Sequence, residues 1–294
     1  MTSLDFKSTA GFRGYSYFFT RESVAHPAKA NLNLLKFLIS KYTKPGQTVL
    51  DPMCGTGTVG VVASSLGRNA VLVELESEYV KFARENVEKS LRQDCFDDDW
   101  NLVKRGFVKV VEGDARQLSA LLESVDAVVT SPPYEGTLSD RRDPADKVAR
   151  MKALSGSFAK THNKQAMSDS FLGAKYSDNP ENLGNLKSGS YLSAMQTVYS
   201  ECFKVLRDNG VMVLITKNFI RDRKVVRLDL DTVKVCESVG FRLLERHQFK
   251  LPQESFWRIQ YRLKNPTAPT INHEDVLVFK KVTESEEKAD LLEF

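Results

Sequence analysis

Two short stretches of the sequence combine residue types that do chemistry with a backbone that would hold them still. In Asp126-Ala-Val-Val-Thr-Ser-Pro-Pro-Tyr134, a run of strand character from Ala127 to Thr130 meets Ser131-Pro132-Pro133-Tyr134. The two prolines fix φ and remove two N–H donors, so the strand cannot continue. A hydroxyl, an unpaired Pro132 carbonyl and an aromatic ring are then held together at the strand's end. Two acceptors can take the hydrogens of a planar amine, and a flat surface can stack on the ring that carries it. In the second stretch, Asp51-Pro-Met-Cys-Gly-Thr-Gly-Thr58, the glycines follow the strand Thr48-Val49-Leu50 and precede a helix containing Val59, Val61, Val62 and Leu66. Glycines at a strand-to-helix turn let a ligand approach the N–H groups of the helix N-terminus. The stretch has neither the G-x-G-x-x-G spacing nor a Gly-Lys-Ser/Thr, so a nucleoside triphosphate fits it poorly.

On these residues the chain resembles the S-adenosylmethionine-dependent methyltransferases that modify exocyclic amines of bases, the DNA methylase N-4/N-6 type. Ser131-Pro132-Pro133-Tyr134 looks like their catalytic motif in the Ser-Pro-Pro-Tyr version of cytosine N4 enzymes, a branch that includes ribosomal RNA N4-cytidine methyltransferase-like members. Asp51, Met53, Cys54, Gly55, Thr56, Gly57 and Thr58 resemble the cofactor loop, and the order, with His26-Pro27-Ala28-Lys29 and its helix first, also fits. The resemblance implies a Rossmann-like class I methyltransferase fold of the α/β class. Its sheet would be mostly parallel and seven-stranded, with an antiparallel closing strand and one long insertion after strand 4.

It further implies that S-adenosylmethionine is the cofactor, its carboxylate at the glycine turn, with His26, Ala28 and Lys29 beside it and Ser131 in reach. Glu74 ends the strand Ala70-Val-Leu-Val-Glu74, where an acid suits two ribose hydroxyls; Asp114, followed by Ala115, would meet the adenine amine. Glu74 is preferred to Glu76, and either acid could instead cap the next helix; Asp114 could equally be an N-cap. Ser131, Pro132, Pro133 and Tyr134 would be catalytic: the hydroxyl and the Pro132 carbonyl orient the amine, and Tyr134 stacks on an extruded or unpaired cytosine. No metal is expected. Adenine N6 enzymes usually carry Asp or Asn where Ser131 stands, and protein glutamine methyltransferases show Asn-Pro-Pro-Tyr. Cytosine C5 methylation needs a thiolate, which the Ser131 turn lacks. A non-catalytic cofactor-binding protein that docks on nucleic acid is a further alternative.

The elements that must position these residues read in order. Leu32, Leu34, Leu35, Leu38 and Ile39 make a helical stripe, and a helix from near Ser77 buries Val80, Ala83, Val87 and Leu91. Strands are expected over Phe107–Val111 and Val211–Ile215, a helix over Leu228–Val239 closed by Gly240, and closing strands over Phe241–Leu251 and Glu274–Lys281. A helical face containing Tyr191, Met195, Val198, Cys202 and Val205 is expected to stop at Asp208-Asn-Gly210. Phe12, Tyr15, Tyr17, Phe18 and Phe19, between Arg13 and Arg21, either pack as a flap or stack on a base.

The 294 residues, 41% hydrophobic, suffice for one buried domain over 1–281. Within it, 135–188 breaks the pattern and reads as a target-recognition or lid loop, small for reading a DNA sequence and suited to a structured ribosomal RNA; 282–294 is an acidic tail. The net charge is +4, with basic clusters at Lys217-Arg221-Arg223-Lys224-Arg227 and Arg242-Arg246-Lys250-Arg258-Arg262. They mark either a polyanion partner, RNA or DNA, or an ordinary solvated surface. Four scattered cysteines suggest neither zinc nor disulfides, and without an apolar leader or membrane-length run the chain is read as cytoplasmic.

Overall fold

The computed structural model of the chain describes residues 1–6, 18–20, 23, 30–95, 102–133, 181–186, 188–221, 223–251, 266–267 and 269–282. The first strand is β1 (Thr2–Leu4), followed by α1 (Leu32–Tyr42), β2 (Thr48–Asp51), α2 (Thr58–Ser65), β3 (Asn69–Glu74), α3 (Ser77–Leu91), β4 (Val108–Glu112) and β5 (Val125–Thr130). After these come α4 (Ser188–Val205), β6 (Leu206–Thr216), β7 (Phe219–Arg221), β8 (Lys224–Val226), α5 (Leu228–Val239), β9 (Phe241–Lys250) and β10 (His273–Lys281).

Eight strands form one sheet in the order β1-β9-β10-β6-β5-β2-β3-β4. Only β10 runs against its neighbours β6 and β9. This is the expected Rossmann-like arrangement of class I methyltransferases, with one correction: the sheet has eight strands rather than seven. The extra strand, β1, pairs parallel with β9 along Thr2↔His247 to Leu4↔Phe249. Its three residues are too few to show a period in the sequence. β7 and β8 make a separate two-stranded sheet.

Alternation along the strands builds two cores. Val49, Leu72, Val129, Val213 and Val278 point to the face covered by α1, α2 and α3, where Leu35, Leu38, Val62 and Ala83 pack. Leu50, Val73, Val128, Met212 and Leu277 point to the other face, under α4 and α5, against Met195, Val198, Tyr199 and Cys236. Strands covered on both sides read as continuous apolar runs, which is why β2, β3 and β5 stood out in the sequence. Phe19 is buried and Phe18 packs beside it on the first core, so these two belong to the packed segment; Phe12, Tyr15 and Tyr17 lie outside the described residues.

A second correction concerns the boundary after α4. The helix ends at Val205 and β6 begins at once, so Asp208-Asn-Gly210 lies inside the strand, not at the helix stop. Asn209 there has φ of 60°, and the β5–β6 register jumps from Val125↔Leu206 to Ala127↔Val211, so the turn-like residues form a bulge. Among the described residues, no helix is long and apolar enough to cross a membrane, and all four cysteines are free and buried.

Candidate active site

β2 and β5 are neighbours, with Val49 level with Ala127 and Leu50 with Val128. β3 and β4 lie beyond β2, while β6 lies beyond β5, so the strand order reverses between them. The crevice outside the C-terminal ends of two such strands is where open α/β sheets bind ligands. The glycine turn leaves β2 there and the Ser131 corner leaves β5 there, so the two stretches of chemical interest stand side by side.

The glycine turn is held from three directions. Cys54 N–H donates to the Val73 carbonyl at 3.0 Å and Gly57 N–H to the Cys54 carbonyl at 2.9 Å. Glu74, at the end of β3, accepts Gly55 N–H at 2.8 Å through Oε2 and Glu76 N–H at 3.0 Å through Oε1. With the Leu75 N–H also directed at this carboxylate, part of its acceptor capacity is left for a ligand hydroxyl. Asn86, buried on α3, donates to the Thr56 carbonyl at 2.9 Å and accepts from Thr20 N–H and the Ser23 hydroxyl at 2.8 and 3.0 Å. Gly57 precedes α2 with φ of 82°, and a Cβ placed on it would meet the Ala83 Cβ at 3.2 Å. Among the described residues, a Cβ on Gly55 (φ 51°) would meet nothing within 4 Å, so they leave open space on that side of the turn. Among the described residues, no side chain caps α2 and no acid sits in its first turn, which leaves its leading N–H groups for an anion.

Two buried acids set the electrostatics. Burial pushes the Asp51 carboxyl up to about 7; the Thr130 hydroxyl and Met53 N–H oppose this, and the Glu74 charge adds to it. Thr130 Oγ1 is buried without a hydrogen bond of ordinary geometry, so its contact with Asp51 falls short of a full bond. Burial also raises Glu74, against the N–H groups of Glu76, Gly55 and Leu75. Cys54 is raised well above its usual value by burial and by the charges of Glu74 and Asp51, so the thiol keeps its proton and is a poor nucleophile.

Ser131 and Pro133 are half-buried and Pro132 is buried. The Tyr191 hydroxyl donates to the Pro133 carbonyl at 2.9 Å, anchoring the corner to α4. Among the described residues, no group bonds the Ser131 hydroxyl or the Pro132 carbonyl. Asp114 lies one strand beyond Glu74 and caps the turn Ala115–Gln117, with Arg116 N–H on Oδ1 at 2.8 Å and the Arg116 guanidinium on both oxygens. Burial works to raise the Asp114 carboxyl, but the Arg116 contacts outweigh it and hold it below the usual range. The N-cap role open to Asp114 in the sequence is therefore present, and a contact to an amine would share an oxygen with Arg116. Glu76 is bonded by Asn182 at 2.9 Å, which ties segment 181–186 to the same edge. His26, Ala28, Lys29 and Tyr134 lie outside the described residues.

Sequence reasoning missed Tyr191 and Asn86 as functional residues. Asn86 carried a signal: it is a polar residue on the α3 stripe of Val80, Ala83 and Val87, where an apolar one is expected. Tyr191 carried none beyond its helical spacing. Among the described residues, no group of three or more His, Cys, Asp or Glu could hold a metal ion.

A family model described as DNA methylase matches residues 9–85. The chain is 44% identical over 63 residues to the type II methyltransferase M2.DpnII of Streptococcus pneumoniae, covering 21% of this chain and 24% of that protein. It is 33% identical over 107 residues to tRNA (guanine(10)-N2)-dimethyltransferase of Methanothermobacter thermautotrophicus, covering 36% and 28%. It is 43% identical over 56 residues to the DNA adenine methyltransferase YhdJ of Escherichia coli, covering 19% of each. The chain thus spans only 19% to 28% of the length of these curated relatives.

Proposed function

We propose that this protein transfers a methyl group from S-adenosylmethionine to an exocyclic base amine in nucleic acid, the N4 amine of cytosine, with structured RNA as the polymer. The observation that carries the reading is the placement of the Gly55–Gly57 turn and the Ser131 corner at adjacent strand ends, across the point where strand order reverses. The residues present fit the cofactor. Uncapped N–H groups of α2 suit its carboxylate, the open side of Gly55 gives it room, and the remaining acceptor capacity of Glu74 suits a ribose hydroxyl. When bound, it supplies an electrophilic methyl group on a sulfonium.

The chain's own part is to prepare the amine. An exocyclic amine on cytosine is a weak nucleophile because its lone pair is delocalised into the ring. Accepting its hydrogens at Ser131 Oγ and the Pro132 carbonyl draws the nitrogen towards pyramidal geometry and aims the lone pair. Orientation of this kind supplies many kcal/mol when it is fixed beforehand. Tyr191 holds the corner through Pro133, and Tyr134 is assigned the stacking surface for the extruded base. The protonated Cys54 disfavours chemistry through a thiolate.

Ser131 in place of Asp or Asn supports cytosine over adenine. The size of segment 135–188 supports a target presented by folded RNA. A second reading, site-specific DNA methylation, is favoured by the DNA methylase family match over residues 9–85. The test is to incubate the purified protein with isotope-labelled S-adenosylmethionine and either ribosomal RNA or genomic DNA, then digest to nucleosides and identify the product by mass spectrometry. N4-methylcytidine from RNA is expected, and Ser131→Ala should lose about 10²–10³-fold in rate while still binding cofactor. Recovery of N6-methyladenine alone would overturn the base assignment, and no transfer to either polymer would overturn the reading.

A further inference from the structure

β7 and β8 pair as Phe219↔Val226, Ile220↔Val225 and Arg221↔Lys224, so residues 222 and 223 alone join them. Two-residue connections use left-handed backbone, and glycine or asparagine ordinarily supplies it. Here Arg223 does so, with φ of 60°. That conformation is strained for a long L side chain and free of strain for glycine. A strained non-glycine residue invites a functional explanation.

Arg223 and Lys224 are exposed, and among the described residues neither is paired with a carboxylate. The Arg221 guanidinium lies over the Phe219 ring at 5.1 Å, adding a third cation to the hairpin. The base beneath this tip is rigid. Asn218 donates to Asp275 at 3.2 Å and accepts Asp229 N–H at 3.1 Å. Arg227 grips Asp229 at 2.9 and 2.7 Å, and Arg246 bonds both Asp229 and Asp275, two fully buried carboxylates.

Register places the base of this hairpin at the same end of the sheet as the candidate active site. β5 and β6 run parallel with Thr130 level with Leu214. β5 ends at Thr130 and β6 at Thr216, so the hairpin that opens at Phe219 leaves the neighbouring strand at the same end of the sheet as the Ser131 corner. Neighbouring strands lie about 4.8 Å apart.

We infer that the β7–β8 hairpin grips the sugar–phosphate backbone of the nucleic-acid substrate beside the target base, and that Arg223 is kept at its strained position as a phosphate ligand. The inference rests on the proposed function for the identity of the substrate. Phosphate contacts fix register without reading sequence, which suits a positioning element adjacent to the reacting base.

Arg223→Gly separates this role from a structural one. Glycine relieves the backbone strain, so the melting temperature should rise or hold. Affinity for a fluorescein-labelled mixed-sequence oligonucleotide, tested as RNA and as DNA, should fall several-fold, and the slope of log affinity against log salt should shrink by about one. Lys224→Ala should shrink the slope similarly, and Arg223→Lys should retain it. With substrate in turnover, KM should rise while kcat at saturation holds. Wild-type affinity and salt slope in Arg223→Gly would overturn the inference alone, provided wild type binds or methylates nucleic acid. If wild type neither binds the oligonucleotides nor methylates RNA or DNA, the proposed function fails and this inference fails with it.

Discussion

The Tyr191 hydroxyl bonds the Pro133 carbonyl at 2.9 Å, joining the start of α4 to the corner that follows β5. The proline ring fixes φ at Pro133 but leaves the corner free to tilt as a unit, and this bond removes that freedom. Tyr191→Phe should cost about 1 kcal/mol in stability through the lost hydrogen bond. It should lower kcat by roughly tenfold to a hundredfold, since misplacements near 1 Å are enough for such losses. Cofactor affinity should stay at the wild-type value. Thermal melts, calorimetric titration and steady-state kinetics on the same preparation check this, and an unchanged kcat would refute it.

The two glycines of the turn should respond differently to alanine. Gly57→Ala forces a left-handed alanine against the Ala83 Cβ, which should cost about 1–3 kcal/mol in a denaturant titration. Gly55→Ala bears the same left-handed strain but meets no described atom within 4 Å, so it should cost less stability than Gly57→Ala and act more on S-adenosylmethionine affinity, because the new methyl occupies the open side of the turn. Equal effects of both substitutions on stability and on binding would count against this division.

Asp51 gives a pH signature of definite sign. Its folded carboxyl titrates near about 7, above an unfolded value of about 4. Between those values the folded state binds more protons than the unfolded chain, so this group weakens folding progressively as pH rises and adds nothing further above about 7. Asp51→Asn should therefore gain stability relative to wild type across that window, with the difference level at higher pH. Taking the difference cancels the opposite trend of Asp114, Glu201 and Asp229, whose carboxyls lie below the usual range. A difference that stays constant from pH 4 to pH 8 would show that Asp51 titrates normally.

Asn86 joins Thr20 and Ser23 to the Thr56 carbonyl, so it couples the segment before α1 to the glycine turn. Asn86→Ala should destabilise by about 2–4 kcal/mol, because it leaves buried polar partners without bonds. Asn86→Asp keeps the acceptor for Thr20 and Ser23 and loses the donor to Thr56. Because the new carboxyl is fully buried and faces the Thr56 carbonyl, Asn86→Asp should destabilise at least as much as Asn86→Ala and do so more at high pH, where it is charged, as read by melts across pH.

Much of this was legible in the sequence because burial on both faces writes itself as apolar runs: β2, β3 and β5 fall within a residue or two of the expected spans, and α5 ends at Gly240 with φ of 112° as its glycine suggested. Asp208-Asn-Gly210 misled because turn-forming residues serve a strand bulge as readily as a helix stop. The β7–β8 hairpin escaped notice because Phe219-Ile220 and Val225-Val226 are too short for a period and the residues joining them are charged. Periodicity reports where a side chain is buried, not what its polar atom holds, so Tyr191 read as a packing residue and its bond to Pro133 was invisible. Asp114 was legible in both of its possible roles, and only the position of Arg116 shows the cap to be made.

β1 covers the outer side of β9 along His247, Gln248 and Phe249. Removing the first six residues would uncover a row of main-chain donors and acceptors on a long outer strand, the kind of border that recruits strands from other molecules. A trimmed form should then self-associate as concentration rises even though every residue of the crevice is intact. The opening residues thus seal the His247–Phe249 stretch of that border.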